Sequence, residues 1–127
     1  MKTFTMTARE YTPAVLLDAN NGIIEIAGKS FPEDAIRFYK PILKWLDEYL
    51  ASPNASTKLN LKFTYYNTSS AKKILELIKK VALIRKSGNN LEINWYYDDG
   101  DEDMLNAGSD YSSVVEIPFN FIEVKNP

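Results

Sequence analysis

The chain contains no cysteine and no histidine among its 127 residues. Without cysteine there are no disulfides, thiolate nucleophiles or thiolate metal ligands. Without histidine, imidazole is missing from any triad, acid/base pair or zinc site. An enzyme is therefore the less favoured reading. Only five glycines occur, all isolated, so no phosphate-cradling glycine motif exists. Neither charge sign dominates: 15 basic residues face 17 acidic ones, for a net charge of −2. The basic excess of a nucleic-acid binder is missing. Uninterrupted apolar runs are far too short to span a bilayer. The stretch Met1 to Glu10 has no apolar core of signal-peptide length. The expectation is a cytoplasmic protein with no membrane or nucleic-acid partner, and with no metal or cofactor.

What is there is close to the average of a soluble globular protein, at 45% hydrophobic and 25% charged residues. The length suits one domain, taken as residues 1–127. A chain of this size buries about two thirds of its unfolded surface and needs no covalent staple. No long linker, low-complexity tract or internal repeat interrupts it.

Hydrophobic periodicity gives the order β-β-α-β-α-β-α-β. Thr12 to Asp18 reads as a strand, Asn21-Gly22 as a hairpin turn, and Gly22 to Ala27 as the return strand. Ala35, Phe38, Tyr39, Ile42, Leu46, Tyr49 and Leu50 mark one face of a helix, begun by Pro32-Glu33-Asp34 and interrupted by Pro41. Lys58 to Tyr65 alternates without a break, with Leu59, Leu61, Phe63 and Tyr65 pointing one way and Lys58, Asn60, Lys62 and Thr64 the other. A second helix runs from about Ser69 to Lys86, with cations in its last turns and Gly88 beyond. Leu91 to Tyr97 alternates again. Asp98 to Asp103 is an acidic turn, Glu102 to Ala107 a short helix, Gly108-Ser109-Asp110 a break, and Val114 to Phe121 a last strand containing Pro118. A hairpin followed by strand–helix alternation predicts an α/β fold with a mixed sheet, mostly parallel after the hairpin. The helices are expected mainly on one face.

Asn67-Thr68-Ser69-Ser70 is the sharpest local feature. These types cap helix starts by satisfying orphan N–H groups. Three consecutive hydroxyls exceed what one cap needs, and they lie where the helix dipole favours an anion. A phosphate there adds about −1.5 to −2 charges and acts mainly on a partner docked over that helix end. Asp98, Asp99, Asp101, Glu102 and Asp103 do not fit the calcium-loop pattern, because Gly100 stands third rather than sixth; they read as a solvated turn. Lys72-Lys73 and Lys79-Lys80 flank the apolar stripe of the second helix. Tyr65, Tyr66, Trp95, Tyr96 and Tyr97 gather near the ends of two strands, as packing or as partner anchors.

The segment Leu61-Lys62-Phe63-Thr64-Tyr65-Tyr66-Asn67-Thr68-Ser69-Ser70 resembles the signature of the SiaC family of bacterial regulatory phosphoproteins. Thr12-Pro13-Ala14-Val15, Phe31-Pro32-Glu33-Asp34 with Trp45-Leu46, Asn94-Trp95-Tyr96-Tyr97-Asp98 and Ile117-Pro118-Phe119 extend the likeness along almost the whole chain. The resemblance implies a fold similar to STAS domains and anti-sigma-factor antagonists. It implies a non-catalytic adaptor whose threonine, here Thr68, is phosphorylated by a partner kinase and dephosphorylated by a PP2C-like phosphatase. In the best-known system the unphosphorylated form binds and activates a diguanylate cyclase, controlling cyclic-di-GMP and biofilm formation. Tyr66, Asn67, Ser69 and Ser70 are the candidate partner-binding residues around Thr68. Ala71-Lys72-Lys73 departs from the family pattern and makes the helix start more basic. The alternatives are a small-ligand sensor, motivated by the aromatic cluster, or a protein-interaction domain of anti-sigma-antagonist type without phosphorylation. A small carboxylate enzyme ranks last.

Overall fold

A computed structural model describes residues 1–125, so the last two residues of the expected 1–127 domain lie outside the described range. The elements are β1 (Phe4–Met6), β2 (Ala14–Asp18), β3 (Ile23–Ser30), α1 (Ala35–Ala51), β4 (Ser56–Tyr66), α2 (Thr68–Lys86), β5 (Asn90–Asp98), α3 (Glu102–Val115) and β6 (Asn120–Val124). One sheet holds all six strands in the order β1-β2-β3-β4-β5-β6. The first three pair antiparallel and the last four parallel.

This order fixes the helices. Each parallel crossover steps one strand in the same direction, and right-handed crossovers that step the same way place their helices on the same face. That face is the core. Ile24 and Ile26 of β3, Leu59, Leu61 and Phe63 of β4, and Ile93 and Trp95 of β5 pack with Tyr39, Ile42 and Leu46 of α1 and Ile74, Ile78 and Val81 of α2.

The opposite face is polar and more ordered than the solvated row expected from sequence. Asn60, Asn94 and Asn120 stand in register on adjacent strands. Asn120 Nδ2 donates to Asn94 Oδ1 at 3.0 Å, Asn94 Nδ2 to Asn60 Oδ1 at 2.8 Å, and Asn60 Nδ2 to Glu25 Oε1 at 3.2 Å. Lys62 meets the same Glu25 carboxylate at 3.2 Å and lies 4.8 Å from the centre of the Tyr96 ring. In-register amide ladders satisfy neighbouring strands mutually and disfavour slippage.

Several sequence expectations are corrected. β1 is an additional strand, too short to carry a period. The helix runs through Pro41, which is exposed, as the spacing of its apolar residues predicts. Gly108 does not end a short helix but lies inside α3, because a side chain there would strike Trp95: a Cβ would sit 2.5 Å from the indole. α3 runs on through Val114 and Val115 and stops at Glu116, in the left-handed region at φ 56°. The last strand therefore begins at Asn120; Ile117 and Phe119 before it alternate as an extended linker buried in the core.

Candidate functional site

The segment before the hydroxyl motif is re-aimed by a β-bulge. Gly28 pairs with Phe63 but Lys29 pairs with Tyr65, so Thr64 has no partner and the alternation of β4 flips. The expected single row of Leu59, Leu61, Phe63 and Tyr65 therefore ends at Phe63. Tyr65 turns outward, 50% exposed, into an edge-to-face contact with Phe31 at 5.5 Å. Tyr66 turns toward the helices and packs edge-on against Phe63. Bulges redirect side chains in this way and also increase local twist. The aromatics of β4 and β5 thus do not form one cluster: Trp95 is core, Tyr96 lies on the polar face and Tyr65 is at the surface.

The chain then starts α2. Asn67 is the N-cap, and its Oδ1 accepts from Ser70 N at 2.9 Å. Ala71 N donates to Asn67 O at 2.9 Å. Of the four orphan donors of the first turn, those of Thr68 and Ser69 remain without a protein acceptor among the described residues.

This first turn is held from three sides. Asn67 N donates to Ser30 O at the end of β3, at 3.1 Å. Ser70 Oγ accepts from Ser30 Oγ at 2.9 Å, and Ser30 Oγ also bonds the Tyr39 hydroxyl of α1 at 2.6 Å. All three side chains of this chain are fully buried. From α3, the Tyr111 hydroxyl donates to Ala71 O at 3.0 Å. Burial pushes the Tyr39 hydroxyl up to about 12, against the smaller opposing effect of its serine partners. Burial likewise raises Tyr66 and Tyr111, whose hydroxyls face each other. All three tyrosines are neutral donors or acceptors at physiological pH.

The sequence motif is thereby divided. Thr68 and Ser69 are exposed, Ser70 is buried, and Tyr66 and Asn67 are half-buried. Sequence reasoning missed Ser30, Tyr39 and Tyr111, which carry no local signal; Ser30 meets Ser70 across a separation of 40 residues. The acidic turn is used locally: Asp101 Oδ1 caps α3 by accepting from Met104 N at 3.0 Å, and Glu102 and Asp103 occupy the first helical turn.

Beside the motif runs an open groove of about 1000 Å³ between the start of α1 and the length of α2, with Ser69 at its end. Ile36, Leu75 and Leu83 give it an apolar floor, and lysines of α2 form one wall.

The architecture is thus a two-layer α/β domain with its helices on one face and an exposed hydroxyl pair on a braced helix start. The family model for "SiaC family regulatory phosphoprotein" matches residues 6–124, and the chain belongs to that family. An uncharacterized protein of Pseudomonas aeruginosa strain UCBPP-PA14 is 25% identical over 108 residues, covering 85% of this chain and 86% of that one. The fold is that of SiaC of Pseudomonas aeruginosa, with a TM-score of 0.84 at 21% identity over 99% of this chain and 100% of that chain. A crystal structure of the diguanylate cyclase SiaD in complex with its activator SiaC, also from Pseudomonas aeruginosa, matches with a TM-score of 0.84 at 22% identity, covering 97% and 99% of the two chains. No helix among the described residues is long and apolar enough to cross a membrane.

Proposed function

We propose that this protein is a non-catalytic cytoplasmic adaptor, switched by reversible phosphorylation of Thr68 through a partner kinase and a PP2C-like phosphatase. The unphosphorylated form binds an output protein. The solved complex of a family relative with the cyclase it activates supports a diguanylate cyclase as that output. One observation carries the reading: Thr68 is exposed on a helix start whose neighbours, Asn67 and Ser70, are pinned to β3 and α1. A kinase reaches the hydroxyl without unfolding the domain, and the added charge lands where partner-facing surface begins. The switch works through interface electrostatics, since a phosphate at an exposed helix start changes domain stability by only about 0.3–1 kcal/mol while repelling or desolvating a docked partner. Asn67 and Ser70 hold the turn, and Tyr66 and Ser69 border the docking surface.

Incubation with the cognate kinase and ATP, followed by mass mapping, tests this. Modification at Thr68 is expected. Phosphate found solely outside the Asn67–Ser70 turn would sink the proposal, and phosphate on Ser69 with Thr68 untouched would relocate the switch by one residue.

A further inference from the structure

The sheet has two outer edges, and they differ. β1 is three residues long, and a very short strand is one way in which an edge is blunted. β6 is five residues long, holds no proline and exposes Phe121 at 39% and Val124 at 38%. Lys125, the cation just past its end, is engaged by Glu123 at 2.8 Å. Val124 O accepts from Asp99 N at 3.0 Å, so the backbone groups of Val124 face β5. Strand alternation turns those of Asn120 and Ile122 the same way and those of Phe121 and Glu123 outward. Among the described residues no backbone group pairs with the N–H or C=O of Phe121 or Glu123. The side chains alternate as well: Asn120, Ile122 and Val124 lie on the polar face, Phe121 and Glu123 on the helix face.

We infer that β6 is the contact strand of a homodimer, pairing antiparallel with β6 of a second copy about a two-fold axis through Ile122, so that the two sheets run on as one. The strand sets this register itself. Ile122 is its middle residue, so this axis alone gives all five residues a partner. Phe121 then stands opposite Glu123 of the second copy, and the outward groups of each such pair exchange both N–H···O bonds. The Phe121 ring covers the methylenes of that glutamate on the helix face. On the polar face Ile122 meets Ile122 of the second copy in a non-hydrogen-bonded pair, with Cα atoms about 4.5 Å apart. An axis moved by one residue, to Glu123, sets two like charges directly opposite, which destabilises a strand pair. Self-complementarity of this kind selects a second copy over an unrelated extended segment, which would match the backbone groups without the side chains. The contact uses the same edge in both copies, so assembly closes at two. It is smaller than a standard interface of about 1,600 Å², which makes the dimer a weak one, formed at high concentration. α2 begins after β4, two strands inside this edge, so Thr68 stays exposed in both copies. The pairing holds whether or not Thr68 is the switch.

Sedimentation equilibrium of the full chain tests the dimer, and disulfide trapping tests its register. The average mass should rise from monomer toward dimer between about 10 μM and 1 mM. Glu123→Pro removes an N–H that the monomer leaves outside the sheet, and should weaken association about tenfold with an unchanged far-ultraviolet circular dichroism spectrum. The chain has no cysteine, so a single introduced thiol is an unambiguous reporter. Ile122→Cys, on the axis, lies within disulfide reach of its own copy. Val124→Cys lies four residues from its own copy, about 13 Å away, and cannot bridge. With diamide at high protein concentration, Ile122→Cys should give a covalent dimer on non-reducing gels at least about tenfold faster than Val124→Cys, although residue 124 is the more exposed. A monomer that persists to 1 mM would overturn the proposal. So would association that a folded Glu123→Pro leaves intact, or cross-linking of Val124→Cys as fast as that of Ile122→Cys. Should Glu123→Pro fail to fold, the pair of cysteine variants still decides.

Discussion

Replacing Ser30 by alanine removes one oxygen on which two others depend. Ser30 Oγ bonds Tyr39 OH at 2.6 Å and Ser70 Oγ at 2.9 Å, and every buried side-chain polar atom among the described residues has a partner. In Ser30→Ala the Tyr39 and Ser70 hydroxyls lose the oxygen that joins them inside a fully buried site. Each unsatisfied buried group costs about 1–3 kcal/mol, so the variant should lose roughly 3 kcal/mol. For a domain of this length that lowers the melting temperature by about 10 °C. The triple variant Ser30→Ala/Tyr39→Phe/Ser70→Ala deletes the whole chain of hydroxyls and leaves nothing unpaired. It should be at least as stable as the single variant, although it removes three times as many polar groups. Urea unfolding followed by far-ultraviolet circular dichroism measures all of these, with amide exchange at Ser70 to Leu75 reporting the local brace. A loss below about 0.5 kcal/mol for Ser30→Ala, or a triple-variant loss equal to the sum of the three single losses, would refute the reasoning.

Three further outcomes are expected. The Tyr39 hydroxyl, raised from 10.0 to about 12, is protonated more tightly in the folded state, so its contribution is fully present below pH 10 and is lost as pH rises toward 12. Wild type should lose about 2–3 kcal/mol over that window from this group, and Tyr39→Phe should lose correspondingly less, read by urea unfolding at successive pH values. Gly108→Ala raises helix propensity but drives its Cβ into Trp95, so a net loss of about 1–2 kcal/mol is expected. A shift of the Trp95 Nε1 proton, now bonded to Met104 O at 2.9 Å, should accompany it; an unshifted indole would contradict the packing. Glu116→Gly relieves a non-glycine residue at φ 56° and should raise stability by about 1 kcal/mol, measured as an increase in the denaturant midpoint at constant slope.

Much of the fold is written in local pattern. The three- and four-residue spacing of Ala35 to Leu50 marks α1. The alternation of Leu59, Leu61 and Phe63 marks β4, and that of Leu91, Ile93 and Trp95 marks β5. The pattern failed where a distant residue intervened. Gly108 looks like a helix break in a one-dimensional reading, yet it is the one residue type that lets α3 lie against Trp95. Val114, Val115, Ile117 and Phe119 read as one strand because apolar alternation cannot distinguish the end of a helix plus a buried linker from an extended run.

The element types, the one-sided amphipathicity of the helices and the hydroxyl-rich start of α2 follow from local pattern, because periodicity and capping are properties of neighbouring residues. Which of those hydroxyls faces water depends on long-range packing. Thr68, Ser69 and Ser70 are chemically alike in the chain. They part company because the helical turn rotates successive side chains by about 100° and because β3 and α1 bring Ser30 and Tyr39 to the one that points inward. The groove likewise exists in neither helix alone; it follows from the crossovers that set α1 and α2 side by side on the same face of the sheet.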